Sequence, residues 1–412
     1  MYNNKKNTLS DYFYIGFLLF PIVSYWLFPS SFEEALTLKM FGFPLFLPEV
    51  SWFLCPLFKR KYTFEKKFNK DFIYFGFIVS FLSILFSLFS LLDTFTIAFS
   101  SAFDLFAPLI ILGFFPIYKR QYPILVKFLF LSWFFLCFQV IFYSLGLLLY
   151  PGISNNSYGM INRISTTIGA ATGTGVILFM LTAIILHLMG KRINVYKYLV
   201  ILVVGSVSIF LTMSRGSIIA FVLLLLFIIL DSQSISRLKR KNKIIIVVLY
   251  LVVLCLVEYN SNLWEVIVGR SNETTRSEDF TTGRDIRWID ALNTISNNAI
   301  VGVGLGAYNS GKRVLLIENN AIHQNSSPHN LYLLLLAEVG ILGLISFIWF
   351  LREIYKYSKI NFNSNKILFI TFWISIIVIN NIEVVNRDME FSFIFYLIFS
   401  LSRTENTYKN ES

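Results

Sequence analysis

The amino-acid sequence predicts an all-α membrane protein with about twelve transmembrane helices. Three observations predict this fold class: 56% of the residues are apolar, only 14% are charged, and apolar runs of about 20 residues recur along nearly the whole chain. A typical soluble protein carries roughly 25% charged residues. The predicted spans leave no room for a large soluble domain.

The predicted spans follow one another closely except at one long polar interval. The first span is expected to be retained, because no small-residue cleavage site follows it. The chain therefore divides into an N-terminal bundle of nine spans (1–258), an extracytoplasmic loop with an amphipathic helix (259–330), and a part with spans 10 to 12 and a cytoplasmic tail (331–412). The spans are residues 11–28, 41–58, 71–92, 97–117, 124–149, 168–189, 196–213, 217–231, 243–258, 331–351, 367–383 and 391–402.

The basic residues predict the orientation of these spans. Most of the 35 Lys and Arg residues fall in alternate loops, and such loops stay on the cytoplasmic side. Both termini are therefore expected in the cytoplasm and the long loop outside. This retention also explains the net charge of +11, and since no basic-aromatic module is visible, no nucleic acid is expected as a partner. The cysteines, Cys55, Cys137 and Cys255, lie in apolar runs without disulfide or metal spacing.

The long outer loop contains one predicted helix and one predicted tight turn. Residues 284–297 form the helix, which should lie on the membrane surface and direct Arg284 and Arg287, one turn apart, toward the same region. The glycines of Gly302–Gly306 allow a tight backbone turn; no strand precedes them, which argues against a nucleotide-binding loop. The helix is indicated by apolar residues three or four positions apart: Ile286, Ile289, Leu292 and Ile295.

Arginine dominates the basic residues on the predicted outer side. Its planar guanidinium group binds phosphate oxygens in a bidentate manner, which indicates an anionic, phosphate-bearing ligand. Arg215 is the most informative, because it lies in a tight turn between two apolar runs, where a charge is expensive and usually functional; the alternative is an anchor at the interface. The outer arginines are Arg163, Arg215, Arg270, Arg276, Arg284, Arg287, Arg313 and Arg387.

The chain has three histidines, of which one is placed for chemistry. His187 lies at the cytoplasmic end of a span and His323 in a polar loop. His329 directly precedes a span, behind Pro328, so its imidazole is held at the outer rim, where it can accept a proton from a hydroxyl group. The outer segments contain no Asp-x-Asp pair, His/Cys cluster or His-Glu-x-x-His motif, so no metal or other cofactor is expected.

Three sequence blocks occur in a characteristic order in the second half of the chain. The first is Thr212–Gly216; the second is Gly283-Arg284 with Trp288, followed by Gly302–Gly306; the third is His329-Asn330, nine residues, Gly340, two residues and Gly343. Together they resemble the bacterial O-antigen ligase and O-antigen polymerase superfamily of multi-span membrane glycosyltransferases. The stretch around Arg163 with Gly169–Gly173 resembles the corresponding outer loop of the ligases.

The resemblance implies a GT-C-like, metal-independent transferase at the outer face of the bacterial cytoplasmic membrane. Its donor is a glycan carried on undecaprenyl diphosphate. By matching motifs, Arg215 and Arg284 hold the diphosphate and His329 activates the acceptor hydroxyl, so these three side chains should converge on one pocket. The family pattern assigns no role to Arg287 or His323. Substrate-binding residues are expected to be Arg163, Arg287, Asn330, Arg387 and His323.

Three functions remain open from the sequence. A polymerase of O-antigen or capsule polysaccharide transfers the glycan to another lipid-linked repeat unit and is marginally preferred. A ligase, acting in lipopolysaccharide biosynthesis, transfers the finished glycan to lipid A-core. A transporter of lipid-linked oligosaccharides would instead need charge deep within spans, for which Asp104 and Glu338 are the main candidates. The expected partners are the lipid-linked donor, a glycan or lipid A-core acceptor, the lipid bilayer and a chain-length regulator.

Overall fold

The computed structural model describes residues 8–23, 37–40, 43–46, 51–58, 117, 121–147, 155–158, 161–164, 166–167, 171–189, 195–230, 284–308, 327–360, 362–380 and 389–403. The predicted spans 71–92 and 243–258, and nearly all of 97–117, lie outside these residues. The helices are α1 (Leu9–Val23), α2 (Cys55–Phe58), α3 (Tyr122–Ser144), α4 (Ala171–Met189), α5 (Val195–Leu211), α6 (Arg215–Leu230), α7 (Arg284–Asn297), α8 (Leu331–Ile360), α9 (Phe362–Ile374) and α10 (Met389–Arg403).

Within the described part, three helical stretches are long and apolar enough to cross a membrane: Tyr122–Ser144, Ala171–Met189 and Leu331–Trp349. Shorter apolar helical stretches occur in α1, α5, α6 and from Lys366 to Ile379. The apolar runs predicted at 11–28, 124–149, 168–189, 196–213, 217–231, 331–351, 367–383 and 391–402 coincide with α1, α3, α4, α5, α6, α8, α9 and α10. The described part is therefore that of a helical membrane protein.

Helix α4 lies at the centre of the described bundle. It packs against α3, α5, α6, α9 and α10, and every residue from Thr174 to Leu186 is buried. Small residues allow its neighbours to approach closely, as is usual for membrane helices. A Cβ at Gly205 of α5 would lie 2.8 Å from Thr182 Oγ1, and the same hydroxyl accepts a hydrogen bond from Trp133 Nε1 of α3 (2.9 Å).

The predicted span 41–58 is wrong in its described parts. Strand β1 (Thr37–Met40) pairs antiparallel with β2 (Phe43–Phe46), and a 3-10 turn (Ser51–Leu54) leads into the four-residue α2. Proline lacks the N–H that a helix interior needs, and Pro44 pairs with Lys39 in the hairpin instead. Since the predicted sidedness counted this segment as a crossing, the sidedness of the later helices stays a prediction.

A second short hairpin carries one of the candidate arginines. Strand β3 (Asn155–Tyr158) pairs antiparallel with β4 (Ile161–Ile164), and Arg163 faces Asn156 in the register. The residues that follow connect this hairpin to α3, because Gln139 Nε2 donates to Thr167 Oγ1 (3.0 Å) and the N–H of Thr167 donates to Gln139 Oε1 (3.2 Å). The hairpin is thereby tied to the helical bundle.

Candidate active site

Helix α8 is interrupted at Gly340, the first glycine of the block that begins with His329. Gly340 has φ 65° and ψ −167°, a backbone conformation that is open in practice only to glycine. The rings of Tyr332 and Phe347 have centroids 6.4 Å apart, although about 15 residues of straight helix would separate their Cα atoms by about 22 Å. The segments Leu331–Val339 and Ile341–Ile360 therefore meet at a sharp angle.

The loop Gly302–Gly306 docks against this break. In an unbroken helix the N–H groups at 341 and 342 donate to the carbonyls at 337 and 338; here all four groups find partners in the segment 299–304. The hydrogen bonds run from Val303 N to Ala337 O (2.9 Å), from Gly304 N to Glu338 O (2.8 Å), from Ile341 N to Ala299 O (2.9 Å) and from Leu342 N to Ile300 O (3.4 Å). The exchange satisfies buried backbone groups that a broken membrane helix would otherwise leave without partners.

The close approach explains why both blocks carry glycines. A Cβ at Gly302 would overlap the backbone carbonyl of Glu338, and a Cβ at Gly340 would overlap the carbonyl of Ile300. At Gly343, a Cβ would overlap the side chain of Val339, which the break brings close. The tight turn predicted for Gly302–Gly306 is confirmed by positive φ at the first, third and fifth of these residues.

The turn Ser327–Asn330 holds His329 at the beginning of α8. His329 has φ 50°, a left-handed conformation that is uncommon outside glycine, and its N–H donates to Ser327 Oγ (3.2 Å). Asn330 is the helix cap: its Oδ1 accepts from the N–H groups of Tyr332 (2.9 Å) and Leu333 (3.1 Å). Asn330, predicted as a substrate-binding residue, thus has a structural role at this position.

The predicted helix 284–297 is confirmed as α7, with the predicted bounds. Its inner face packs through Ala291 against Tyr308, Leu334 and Ala337. Two side-chain hydrogen bonds fix it further: Tyr308 Oη donates to Asp290 Oδ2 (2.8 Å), and Trp288 Nε1 donates to the carbonyl of Pro328 (2.9 Å). Helix α7 is therefore attached both to the first part of α8 and to the turn that contains His329.

Two of the described apolar side chains of α7 are largely exposed on the surface of the protein. Ile289 is 57% exposed and Leu292 53%, whereas Ile295 packs against the inner cluster. Ile300, also exposed, continues this surface and joins it to α8, because its carbonyl accepts from Leu342. The second part of α8 presents a stripe of exposed apolar residues at helical spacing: Ile341, Leu342, Ile345, Ile348 and Trp349.

Arg215 begins α6 directly after a tight turn. Thr212 and Ser214 are buried in this turn, and Met213 has φ 54°. The turn packs on the first part of α4, since a Cβ at Gly175 would lie 2.7 Å from Thr212 Oγ1 and 2.8 Å from Ser217 Oγ. The half-buried guanidinium groups of Arg215 and Arg287 form no hydrogen bond or ion pair with residues that the structure describes.

Replacing Gly175 by alanine is expected to disturb the Arg215 turn. The two hydroxyls it would meet cannot simply rotate away, because Thr212 Oγ1 donates to the carbonyl of Ile209 and Ser217 Oγ bonds to Ser214 Oγ. Overpacking of this kind costs about 1–3 kcal/mol, so we expect a lower melting temperature in detergent. The matched control is Gly173→Ala in the same helix, where a Cβ meets nothing within 4 Å. Equal melting temperatures for the two variants would contradict the close packing.

Helix α6, which begins with Arg215, and helix α8, which follows His329, both contact the same π-helical turn. A π-helical turn, Ser375–Ile379, continues α9; α6 packs against it, and Tyr332 Oη, near the beginning of α8, donates to the carbonyl of Ile376 (2.9 Å). Such turns are frequent at functional sites. Asn380 follows: it is fully buried, and neither polar atom of its side chain has a hydrogen-bond partner among the residues that the structure describes.

Asn380 is not among the residues that the sequence predicts for the site. A buried amide without partners is costly and calls for an explanation. The only signal in the sequence is a pair of asparagines, Asn380-Asn381, where the apolar run ends.

Several predicted site residues lie outside what the structure describes. Arg163 is in β4 and Arg284 is the first residue of α7, but their side chains are not among the described ones. His323 and Arg387 lie outside the described residues altogether. The convergence of Arg215, Arg284 and His329 on one pocket therefore stays a prediction. Glu338, considered above for transport, is buried and accepts from the N–H of Tyr308 (3.2 Å).

No group of three or more His, Cys, Asp or Glu side chains that could hold a metal ion occurs among the described residues. What the described residues do bring together is a histidine at a helix beginning, an arginine-bearing helix attached beside it, and a glycine loop docked into a broken helix. These features define the chain as a helical membrane protein with a candidate site at the rim of its bundle.

Comparison with known proteins then supports a family. Residues 198–348 match the family model described as O-antigen ligase. An O-antigen polymerase from Salmonella muenchen is 26% identical over 215 residues, which is 50% of this chain and 50% of that protein. The match spans about half the length of this relative. The resemblance to the O-antigen ligase and polymerase superfamily is thereby confirmed, with the family match covering the break in α8, the Gly302–Gly306 loop, His329 and Arg215.

Proposed function

We propose that this protein is a polysaccharide polymerase of the cytoplasmic membrane. It transfers a glycan from undecaprenyl diphosphate to a sugar hydroxyl of another lipid-linked repeat unit. The observation that carries the proposal is the turn Ser327–Asn330, which places an imidazole at the beginning of an apolar helix and is attached to the arginine-bearing α7. The polymerase from Salmonella muenchen, similar over 215 residues, supports the choice of reaction.

The proposed chemistry assigns one proton acceptor and at least two anion-binding groups. His329 accepts the proton of the acceptor hydroxyl, whose oxygen attacks the anomeric carbon of the donor sugar. The bond between that carbon and the diphosphate oxygen breaks, and its electron pair leaves with undecaprenyl diphosphate. Arg215 and Arg284 bind the diphosphate, where negative charge builds in the transition state. Each is the first residue of a helix, where the helix dipole also favours an anion.

The proposed location of the site is the outer face of the membrane. The exposed apolar side chains of α7 support a position of this helix at the membrane surface, which keeps the first turn of α7 near the lipid-linked donor. The remaining substrate contacts are proposed to come from Arg163, Arg287, Asn330, Arg387 and His323. We propose further that no metal ion or cofactor takes part, because the leaving diphosphate already activates the sugar.

A ligase is the second candidate, since the family model that matches residues 198–348 is described as O-antigen ligase. It would use the same donor and the same proton acceptor. The two differ in the acceptor: another lipid-linked repeat unit for a polymerase, and lipid A-core for a ligase.

A transfer assay with purified protein in detergent tests the proposal. The protein receives lipid diphosphate-linked repeat units from its own host, with and without lipid A-core, and with and without EDTA. We expect the lipid-linked glycan to lengthen without core and at the same rate in EDTA. Product formed only with lipid A-core would establish the ligase, loss of the rate in EDTA would contradict metal independence, and no covalent product in any mixture would contradict a transferase.

A further inference from the structure

The peptide group between Pro328 and His329 is held from both sides. A peptide group is planar, so its carbonyl and N–H turn together. The carbonyl of Pro328 accepts from Trp288 Nε1 (2.9 Å), and the N–H of His329 donates to Ser327 Oγ (3.2 Å). The two hydrogen bonds fix the plane from which the side chain of His329 projects.

This restraint matters because His329 adopts an unfavourable backbone conformation. Its φ of 50° costs about 1–2 kcal/mol in a residue other than glycine. Without support from its surroundings, the turn would relax toward negative φ and direct the imidazole elsewhere. Asn330 fixes the next peptide groups by capping α8, whereas the two hydrogen bonds above act on the peptide group of His329 itself.

Trp288 is well placed to provide that support. Its helix is fixed on α8 by the packing of Ala291 against Leu334 and Ala337, and by the hydrogen bond between Tyr308 and Asp290. The indole of Trp288 itself is 38% exposed, so its burial contributes less than that of a core tryptophan. Its N–H bond to the Pro328 carbonyl is then its most specific contact. The same helix carries Arg287 directly before it and Arg284 one turn before.

We propose that Trp288 is a positioning residue for His329: its indole N–H holds the Pro328–His329 peptide group and thereby directs the imidazole toward the substrate. This role rests on the proposed function. It also couples the arginines of α7 to His329 through one helix, because any shift of α7 moves Trp288 and the arginines together. His329 and Arg284 then keep a constant spacing.

The direct test replaces Trp288 by phenylalanine, which keeps an aromatic ring and removes the N–H. We expect kcat for transfer to fall roughly tenfold, as for a lost hydrogen bond that orients a reacting group, while KM for the lipid-linked donor stays unchanged. The matched control is Trp349→Phe, on the exposed stripe of α8, which should behave as wild type. An unchanged kcat in Trp288→Phe would overturn the proposal.

A double-mutant cycle separates positioning from a general effect on folding. If Trp288 acts through His329, then Trp288→Phe has no further effect on the residual rate of His329→Asn. A loss that multiplies in the double variant would show that Trp288 acts independently of His329 and would overturn the proposal.

A spectroscopic measurement tests the positioning without relying on activity. The chain has three histidines, so histidine-labelled protein gives three sets of imidazole NMR signals, and the set lost in His329→Asn belongs to His329. We expect Trp288→Phe to shift or broaden this set and leave those of His187 and His323 unchanged. A shifted His329 signal in a protein without transfer activity would refute the proposed function but support the positioning. An unchanged His329 signal in active protein would refute the positioning alone.

Discussion

Replacing Gly340 or Gly302 by alanine is expected to abolish transfer, whereas the same replacement at Gly146 is expected to be tolerated. All three glycines have positive φ, between 65° and 69°, so an alanine is strained in backbone conformation at each of them. They differ in their surroundings. A Cβ at Gly340 or Gly302 overlaps backbone atoms of the opposite segment, and a Cβ at Gly146 meets nothing within 4 Å.

The loss of stability at Gly340 or Gly302 should exceed that caused by backbone conformation alone. The reason is that the backbone atoms met by the new Cβ cannot rotate away as side chains do. To admit the Cβ, the loop must separate from the break, and the four exchanged hydrogen bonds are lost or distorted together. Helix α7 ends just before the loop, and the first part of α8 begins just after His329. Both then shift relative to each other, and a misplacement of about 1 Å can cost about 100-fold in rate.

The measurement compares the three alanine variants by transfer rate and by melting temperature in detergent. We expect the rate of Gly340→Ala and Gly302→Ala to fall at least about 100-fold, with a clearly lower melting temperature, and that of Gly146→Ala to stay near wild type. If all three variants lost rate and stability to the same extent, the loss would come from the positive φ alone. The docking of the loop into the break would then not matter to the site.

Local periodicity made α7 predictable from the sequence. Apolar residues at helical spacing indicated a helix over 284–297, and the structure has the same bounds. The prediction could not tell which apolar residues face protein, because Ala291 and Thr294, which are buried, carry little hydrophobic signal. The contact that decides the orientation joins Ala291 to Leu334 and Ala337, far away in the sequence.

The predicted span 41–58 was wrong because it relied on apolar composition alone. Its length and hydrophobicity suit a membrane span, but the run contains Pro44, Pro48 and Pro56. A transmembrane helix tolerates proline when neighbouring groups bond to the freed backbone. Whether such neighbours exist is a tertiary property, and here the chain forms a hairpin, a 3-10 turn and a short helix.

The break in α8 could not be derived from the sequence for a similar reason. A glycine within an apolar run is common in membrane helices, so Gly340 gave no reason to interrupt the predicted span 331–351. The break is stable because residues 299–304 bond to the groups it exposes. The resemblance had already connected the two glycine blocks as motifs of one family, and the structure supplies the physical reason: each block occupies the space that a Cβ in the other would need.

Replacing His329 by asparagine is expected to lower the transfer rate about 100-fold to 10,000-fold, the range for loss of a general base. The choice of substitute matters because His329 has φ 50°. Alanine at this position would add backbone strain to the loss of the imidazole, so its effect could not be assigned to chemistry. Asparagine tolerates left-handed φ better than most residues and keeps a polar side chain, but it cannot accept a proton near neutral pH.

A second variant at the same position separates the effect of backbone strain from the effect of losing the imidazole. His329→Gly removes the strain and the side chain together, so it should fold at least as well as His329→Asn and lose as much activity. Both are measured by transfer rate at saturating donor and acceptor, with the melting temperature showing that the turn still forms. If His329→Asn kept a rate within about tenfold of wild type, a catalytic proton transfer by the imidazole would be excluded, since general bases contribute more than this. The role of His329 would then be to form the turn, and the arginines of α6 and α7 would have to act with another proton acceptor.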